Sequence, residues 1–323
     1  VSSDERFTID AAMAELRLDQ VLAGRSSVTS RGKARQALES GKVSVNGQAV
    51  GGAAAGERLA VGTEVWLEWN RPGTTHQRNA GRERLRKAGV EVIFEDALLL
   101  AVNKPVGLLT DSATRAQDRN NDTLTKRARG WAGGREVWPV HRIDRDTSGV
   151  VLFAKGQEAR ENLKEQWGKD KPVRAYTVVV EGAPKADAGT WSHWMFWDGK
   201  VNRQKPCGPG TPEAVEAKAS YEVVERFAQN AVLLVKLDTG RRNQIRLHCQ
   251  IEGYPLVGEL IYRKDSMPTS FGRQALHASE LVVKHPKTGA VLSLKAELPD
   301  DMKALVKRLR KGPKPPPRST PAS

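Results

Sequence analysis

Cysteine is nearly absent from this chain, which has only Cys207 and Cys249 in 323 residues. Two isolated thiols make neither a disulfide framework nor a metal-binding motif, so we expect a protein of a reducing compartment. Long apolar runs are missing too, since none approaches the ~20 residues of a membrane-spanning helix. Residues 1–6 have neither the basic nor the apolar part of a secretory signal. We therefore expect a cytoplasmic protein without a membrane partner.

Acidic residues are outnumbered by basic ones, 38 Asp and Glu against 52 Lys and Arg, which gives a net charge of +14 and a pI of about 9.9. Such an excess favours a polyanionic partner, because bound cations release the counterions condensed on a phosphate backbone. Composition alone does not separate a nucleic acid from an anionic membrane surface. The length is enough for two domains and a sizeable core.

A helix followed by a hairpin is predicted between residues 30 and 50. Ser30 is of a residue type that caps helices, and the helix over 31–38 would end before Gly41, where a left-handed residue is favoured. The segment 42–50 then alternates apolar and polar residues around Asn46-Gly47, a dipeptide that suits both central positions of a type I′ turn. These elements predict a small module of helices and short strands.

Three cations, Arg31, Lys33 and Arg35, lie in the first turns of this predicted helix. Cations are disfavoured there, because the helix dipole makes the N-terminus positive. A shared phosphate would explain them, with the helix N-terminus and the three side chains binding one anion. The alternative is a solvated helix face without a ligand.

The segments 17–19, 30–38 and 41–47 resemble the RNA-binding module named after small-subunit ribosomal protein S-four. The resemblance covers nearly the whole small domain. It implies that this part of the chain reads the shape and backbone of RNA rather than a long sequence. It also implies that Arg31, Lys33 and Arg35 contact RNA.

Composition along the chain predicts four parts. We place a small α/β RNA-binding domain at 15–70, a basic linker at 71–89, a larger domain at 90–311 and a disordered tail rich in Pro, Lys and Ser at 312–323. The strands and helices predicted in the larger domain do not alternate regularly, which indicates an α+β fold.

The densest group of charges is the segment 141–149, His-Arg-Ile-Asp-Arg-Asp-Thr-Ser-Gly, which lies between two apolar stretches. Such a charge density beside buried strands belongs at the edge of a cleft. A buried carboxylate beside arginine stays ionised, because the opposite charge lowers its pKa, and it can then act as a nucleophile. Asp144 and Asp146 are equal candidates by spacing. A solvated turn held by local ion pairs is the alternative.

Four segments of the larger domain resemble motifs of the RluA-type pseudouridine synthases, in the same order along the chain. They are 103–109 (N-K-P-x-G), 141–149 (H-R-L-D-x-x-T-S-G), 174–182 (K-x-Y…V-x-G) and 239–258 (G-R-T-H-Q-I-R-x-H…G-x-P-x-x-G). The resemblance spans about residues 90–300. It implies a mixed, mostly antiparallel central sheet with flanking helices and a catalytic cleft. It further implies isomerisation of uridine in RNA, without a cofactor or a metal.

The resemblance also implies roles for single residues. Asp144 matches the catalytic aspartate, and Arg246 matches the basic residue that is paired with it and keeps it deprotonated. Tyr176 matches the tyrosine that lies against the flipped base. Arg142 matches the arginine that enters the RNA stack where the uridine leaves, because a planar guanidinium can fill that place. Ile245 would be an apolar floor of the pocket.

Three parts of the larger domain depart from the family pattern. Arg242 and Asn243 stand where the motif has Thr and His, and Glu259 stands where the family usually has aspartate. The segment 183–212, which contains three tryptophans, matches no motif. We interpret it either as an edge subdomain with packed aromatic residues or as an insertion that stacks on RNA.

The predicted function is isomerisation of specific uridines in structured RNA by a monomer, with large-subunit ribosomal RNA as the first target and transfer RNA as the second. A non-catalytic RNA-binding protein of ribosome assembly is an alternative, and intact Asp144, Tyr176 and Arg246 argue against it. A metal-dependent nuclease or phosphotransferase that uses Asp144 and Asp146 is another. The lack of a further carboxylate or histidine cluster argues against two-metal chemistry.

Overall fold

The structure is a computed structural model that describes residues 4–69, 81, 83, 85–87, 89–112, 122–133, 135–169, 171–263 and 271–313. Contacts along the backbone divide the chain into two compact units. The first comprises Val1–Ala88 and Thr125–Val137, and the second comprises Gly89–Leu124 and Trp138–Ser323. Among the helices of the described ranges, none is both long and apolar enough to cross a membrane.

The first unit contains a four-stranded antiparallel sheet in the order β1-β4-β2-β3, with helices beside it. Its elements are β1 (Glu5–Thr8), α1 (Ala11–Ala14), α2 (Leu18–Ala23), α3 (Arg31–Glu39), β2 (Val43–Val45), β3 (Gln48–Ala49), a 3-10 helix (Gly52–Gly56), β4 (Glu64–Leu67) and α4 (Leu124–Trp131). Apolar residues of α2, α3, β2 and β4 form one buried cluster.

Local signals in the sequence account for the middle of this unit. The hydroxyl of Ser30 accepts a hydrogen bond from the backbone N–H of Lys33 at 3.2 Å, which caps α3 as predicted. Asn46 and Gly47 have φ angles of 48° and 80°, so the turn between β2 and β3 has the positive φ values that the dipeptide predicts. Gly41 follows α3 with φ 71°, also as expected.

The second unit is built on an eleven-stranded sheet with helices, and it has the predicted α+β architecture. Its elements are β5 (Glu91–Glu95), β6 (Leu99–Lys104), β7 (Trp138–Pro139), β8 (Ser148–Ala154), α5 (Gln157–Lys169), β9 (Val173–Glu181), β10 (Ala188–Asp198), β11 (Arg203–Cys207), β12 (Val215–Arg226), β13 (Asn230–Leu237), α6 (Gln244–Ile251), β14 (Leu276–Lys284), β15 (Val291–Lys295) and α7 (Asp300–Arg310). The strand order is β11-β10-β12-β13-β9-β14-β8-β6-β5, with β15 on β14 and β7 on β8. The pairing of β8 with β14 is parallel and the other strand pairs are antiparallel, which makes the sheet mixed and mostly antiparallel as predicted.

The sheet register brings distant parts of the sequence together at one place. Gly149, at the end of the charged segment (141–149), is opposite Ala278 of β14, and Ala278 is opposite Tyr176 of β9. Helix α6 packs on the same region, because Ile245 and Cys249 share an apolar cluster with Val178. The charged segment, Tyr176 and the start of α6 are therefore neighbours.

The segment 183–212, which matches no family motif, contains two β-strands that extend the sheet. It includes β10 and β11, which form the edge of the sheet beside β12. Trp191 is buried and stacks on Tyr221 with ring centroids 4.7 Å apart. The interpretation as an edge with packed aromatic residues therefore holds for Trp191. The ring of Trp197 instead contacts the guanidinium of Arg242.

The domain boundaries expected from the sequence stay predictions. Strand β1 lies before the expected start at residue 15 and pairs with β4. The expected linker 71–89 falls outside the described residues apart from 81, 83, 85–87 and 89. The expected tail 312–323 falls outside them from residue 314 onward.

Replacing Gly149 should destabilise the junction of β8 and β14. Gly149 has φ +119°, and a Cβ there would lie 2.1 Å from the carbonyl oxygen of Ala278. Gly156 is the control, because it has φ +111° with no atom within 4 Å of an added Cβ. We expect Gly156→Ala to lower the free energy of unfolding by ~1–2 kcal/mol through its backbone conformation. Gly149→Ala should cost a further ~1–3 kcal/mol or more through the clash.

Urea unfolding of the two variants measures this difference. Equal losses of stability in Gly149→Ala and Gly156→Ala would show that the strands separate without cost, and would contradict the close approach of β8 and β14.

Candidate active site

The main cavity of the second unit has a volume of about 590 Å³, within the ~300–1,000 Å³ of typical small-molecule sites. One wall is the charged segment from Arg142 to Thr147, and another is the loop and first turn of α6 from Gly240 to Arg246. The charged segment thus lies at the edge of a cleft, as its composition predicts. The five residues that the family resemblance implies for this pocket all line the cavity: Arg142, Asp144, Tyr176, Ile245 and Arg246.

Asp144 and Arg246 both line the cavity and form an ion pair there. The nearest atoms, Asp144 Oδ2 and Arg246 Nη1, are 3.9 Å apart, which is an ion pair without a direct hydrogen bond. The Asp144 side chain is 35% exposed while that of Arg246 is 6% exposed, so the carboxylate is the group that a ligand can reach. Asp146, the other candidate by spacing, also lines the cavity but is exposed.

The close partner of Arg246 is Glu259 rather than Asp144. Arg246 Nε and Nη2 donate to the two carboxylate oxygens of Glu259 at 2.8 and 2.5 Å. Glu259 is fully buried and also accepts hydrogen bonds from the backbone N–H groups of Ile261 and Tyr262. Burial alone would raise the pKa of Glu259, but these hydrogen bonds and the charge of Arg246 hold it below its usual range. Arg246 therefore pairs with two carboxylates, closely with Glu259 and at 3.9 Å with Asp144.

The pKa of Asp144 is shifted in the direction opposite to the one expected from the sequence. Burial raises it above its ordinary value of 3.8, although Arg246, Arg242 and Arg142 pull it down. The neighbouring arginines lower this pKa as expected, but burial makes the net shift upward. Loss of hydration outweighs the cations, because those guanidinium groups make no hydrogen bond to the carboxylate in the structure.

Tyr176, Ile245 and Arg142 provide three different surfaces around Asp144. Burial raises the pKa of Tyr176 to about 12, so its hydroxyl is neutral and its ring is a flat apolar face. Ile245 is buried and contributes to the apolar floor. Arg142 is exposed at the rim, and within the described residues its guanidinium has no hydrogen-bonding partner.

Lys104 connects the charged segment to strand β6 by a hydrogen bond. It ends β6, is fully buried, and its Nζ donates to the carbonyl oxygens of Pro105, Leu108 and Arg145 at 2.9, 2.8 and 2.9 Å. Burial lowers the pKa of Lys104 to about 7, while the carboxylates of the charged segment oppose this shift. Three carbonyl acceptors match the three protons of an ammonium group. In the sequence this lysine belongs to the N-K-P-x-G motif of the segment 103–109.

Arg242, one of the departures from the family motif, stacks on a tryptophan. Its guanidinium carbon lies 4.1 Å from the centroid of the Trp197 ring, a distance typical of cation–π contacts. Asn243 has a left-handed φ of 53° before α6, and its side-chain amide donates to the Tyr262 hydroxyl at 3.3 Å. Asn202, between β10 and β11, also lines the cavity. The segment 183–212 therefore contributes to the site, which no motif had indicated.

Two of the three predicted RNA contacts of the first unit, Arg31 and Arg35, bind a buried carboxylate. Arg31 Nη2 and Arg35 Nε donate to Asp19 Oδ2 at 3.2 and 3.1 Å, and Lys33 Nζ donates to the Thr29 hydroxyl at 3.0 Å. Burial would raise the pKa of Asp19, but the arginines hold it below its ordinary value. Asp19 thus joins two of the three cations, and the shared anion expected from the sequence stays a prediction. Both arginine side chains remain 52% exposed.

Some contributors to the site were recognisable from the sequence only in part. Glu259 was noted as a departure from the family pattern, but its contact with Arg246 depends on a loop whose path the sequence does not give. Trp197 had no motif at all. Within the ranges that the structure describes, no three His, Cys, Asp or Glu side chains are grouped as a metal site requires.

The fold of the second unit is shared with known RNA-modifying proteins. The chain superposes on the human RNA pseudouridylate synthase domain containing 4 with a TM-score of 0.58 and 19% identity, over 74% of this chain and 99% of that one. The human RNA pseudouridylate synthase domain containing 1 gives a TM-score of 0.53 and 22% identity, over 71% and 98%. At these identities the likeness concerns the fold alone.

Sequence comparison gives the family. The RNA pseudouridylate synthase family model matches residues 98–251 and the S4 domain model matches residues 16–52. Over 303 residues the chain is 32% identical to the uncharacterized RNA pseudouridine synthase YlyB of Bacillus subtilis, which covers 91% of this chain and 94% of that relative. It is 31% identical over 307 residues to the ribosomal large subunit pseudouridine synthase D of Pseudomonas aeruginosa, covering 91% and 92%. The chain therefore belongs to the RNA pseudouridylate synthase family and is an isomerase with an S4 domain.

Removing the charge of Glu259 should weaken both folding and catalysis. In Glu259→Gln the buried Arg246 loses its counter-charge, which typically costs ~3–5 kcal/mol. The stabilisation by Glu259 is present above its ordinary pKa of 4.5 and is lost as the pH falls, because its folded-state pKa is depressed. Urea unfolding at several pH values measures the loss of stability. The rate of pseudouridine formation measures the loss of catalysis that follows when Arg246 is no longer held in place.

Glu181→Gln is the matched control, because Glu181 pairs with Arg263 but is 35% exposed. A pair of this exposure is worth ~0–1 kcal/mol. A Glu259→Gln protein as stable and as active as the control would refute the positioning role of Glu259.

Removing the charge of Arg242 should change the pH dependence of the reaction. Arg242 lowers the pKa of Asp144, so Arg242→Gln should raise that pKa and move the acid limb of the kcat/KM profile to higher pH. Lys205→Gln on β11 changes the net charge equally, but Lys205 pairs with Asp198. Initial rates of pseudouridine formation across the acid range measure the shift. Coincident profiles of wild type and Arg242→Gln would contradict the link between Arg242 and Asp144.

Proposed function

We propose that this isomerase converts specific uridines of structured RNA to pseudouridine, with large-subunit ribosomal RNA as its first target and transfer RNA as its second. Relatives that match nearly the whole chain support the ribosomal target, since those of Pseudomonas aeruginosa and Zymomonas mobilis are named ribosomal large subunit pseudouridine synthase D. The observation that carries the proposal is a reachable carboxylate, Asp144, in a cavity bordered by a buried arginine, a tyrosine face and a free guanidinium.

The uridine has to leave its helix before it can enter this cavity, which costs a few kcal/mol of lost stacking and pairing. Arg142 is suited to fill the vacated place, because its planar guanidinium is exposed at the rim and its donors are unused in the described structure. The extruded base would then lie against the ring of Tyr176, above the apolar surface of Ile245.

The chemistry needs one bond to break and another to form. The bond between C1′ of the ribose and N1 of uracil breaks, the base rotates, and C1′ bonds to C5, which loses its proton while N1 gains one. Asp144 in its ionised form would assist either by forming a covalent adduct or by stabilising the intermediate. Arg246, held by Glu259, would keep a positive charge 3.9 Å from that carboxylate and so fix its orientation.

The S4 domain would hold the RNA backbone. Arg31 and Arg35 are half exposed, and Asp19 holds their guanidinium groups in fixed positions. Such groups suit phosphate oxygens, which accept from planar guanidinium donors. We propose that the protein acts in the cytoplasm as a monomer.

Pseudouridine mapping of ribosomal and transfer RNA from cells with and without the protein tests the function. We expect sites that disappear with the protein and return with the wild-type gene. Asp144→Asn should bind RNA but restore no site, because the amide cannot supply the negative charge. Asp146→Asn is the control, since Asp146 lies two residues away in the same cavity wall but is exposed.

Wild-type modification by Asp144→Asn would remove Asp144 from the mechanism. Loss of activity in excess chelator would instead favour a metal-dependent reaction, in which Asp144 and Asp146 bind the ion. An unchanged modification map would refute the proposed function, and the protein would then be an RNA-binding factor.

A further inference from the structure

We propose that a second cavity beside the main one binds the nucleotide next to the target uridine. This flanking cavity has a volume of about 420 Å³ and is lined by Trp167, Lys171, Arg174 and Arg241 among others. Its ligand would be a phosphate of the RNA chain together with the adjoining base or ribose. The inference rests on the proposed function, since it concerns the strand on which the target uridine lies.

The two cavities adjoin each other. Both are lined by Arg142, Tyr176 and Arg241, so the flanking cavity begins on the far side of the residues that border Asp144. A uridine within an RNA chain is attached to a neighbour on each side. A strand that places its base in the main cavity therefore has to leave along the surface that borders it, and the flanking cavity is a path that shares residues with the site.

The charges of the flanking cavity suit a phosphate. Four cations line it, against the single carboxylate of Asp238: Arg142, Lys171, Arg174 and Arg241. Lys171 is exposed and has no ion-pair partner within the described residues. The excess of positive charge is the arrangement that binds a nucleic-acid backbone.

Arg174, which lines the flanking cavity, has a hydrogen-bond donor without a partner in the described structure. Its Nη2 donates to the carbonyl oxygen of Leu237 at 3.2 Å, but its buried Nε has no hydrogen-bond partner in the described structure. The absence of a side chain at Gly240 makes room for this arginine, because a Cβ there would lie 2.5 Å from Arg174 Nη1. Gly240 lines both cavities. The glycine thus lets the guanidinium lie at the boundary between the two cavities.

An aromatic surface completes the flanking cavity. The rings of Trp167 and His141 are stacked, with centroids 5.7 Å apart and planes at 16°. His141 Nε2 accepts from the backbone N–H of Leu152 at 3.2 Å, and burial lowers the pKa of His141 to about 4. The pair is therefore an uncharged wall, of the kind on which any of the four bases can stack.

The test uses a dye-labelled pentauridylate, because a single strand presents its bases without the cost of leaving a helix. Binding is measured by fluorescence anisotropy at several salt concentrations with the full-length protein. We expect Lys171→Gln and Arg241→Gln each to weaken binding about threefold or more, and to reduce the slope of log Kd against log salt by about 0.7. Lys164→Gln is the control, because it lies on the same helix as Trp167 and pairs with Glu161 at 3.2 Å.

A set of pentauridylates with one uncharged methylphosphonate linkage each identifies the contact. The methylphosphonate and Lys171→Gln each reduce the binding free energy. At one linkage the two reductions should not add, since both changes remove the same contact. Additive losses at all linkages, or equal binding by Lys171→Gln, Arg241→Gln and Lys164→Gln, would overturn the proposal. Circular dichroism of each variant separates loss of a contact from loss of fold.

Failure of this inference is distinguishable from failure of the proposed function. A protein that restores pseudouridine sites in cells, but whose Lys171→Gln and Arg241→Gln variants bind pentauridylate as wild type does, would keep its function and lose the flanking subsite. Suppose instead that the protein restores no pseudouridine site, but that the effects of Lys171→Gln and of one methylphosphonate linkage do not add. The flanking cavity would then remain as an RNA-binding groove without the proposed function.

Discussion

The buried ion pair of Arg246 and Glu259 is the interaction on which the candidate active site depends. An arginine with a side chain only 6% exposed needs a compensating charge, and Glu259 supplies it through two hydrogen bonds. This leaves Asp144 at a distance of 3.9 Å with its oxygens free of direct hydrogen bonds from Arg246. Such a neighbour leaves the carboxylate oxygens accessible, whether Asp144 forms an adduct with the ribose or stabilises an intermediate, whereas a tight bidentate partner would occupy them.

Backbone geometry determines where this pair meets its substrate. The adjacency of β9, β14 and β8 brings Tyr176 opposite Ala278 and Ala278 opposite Gly149, so a tyrosine and the charged segment come from strands far apart in sequence. The edge strands β10 and β11 add Trp197 under Arg242 and Asn202 at the cavity wall. Tyr176 thus lies on strand β9 of the central sheet, Asp144 in the charged segment before β8 and Arg246 on helix α6. Arg242, a departure from the family motif, contacts Trp197 of the unmatched segment.

Much of this arrangement could be predicted from local sequence, and the rest could not for a physical reason. The capped helix after Ser30, the turn at Asn46-Gly47 and the strand after the charged segment follow from short-range preferences of the backbone. The family motifs place Asp144, Tyr176 and Arg246 in one pocket. The sign of the Asp144 pKa shift, however, depends on how much water the fold removes, and the partner of Arg246 depends on the path of a loop. The spacing of residues along the sequence encodes neither the extent of this burial nor the path of the loop.

Lys104 has a consequence for how the enzyme distinguishes one uridine from another. Its amino group donates to three carbonyl oxygens of the protein, so we expect the wall that carries Asp144 to be ordered before RNA binds. A preorganised wall spends little free energy on its own ordering, and the conformational cost of the encounter falls on the RNA. We therefore expect selection among chemically identical bases to depend on how easily each one unstacks, which favours loops, bulges and mismatched pairs over regular duplex.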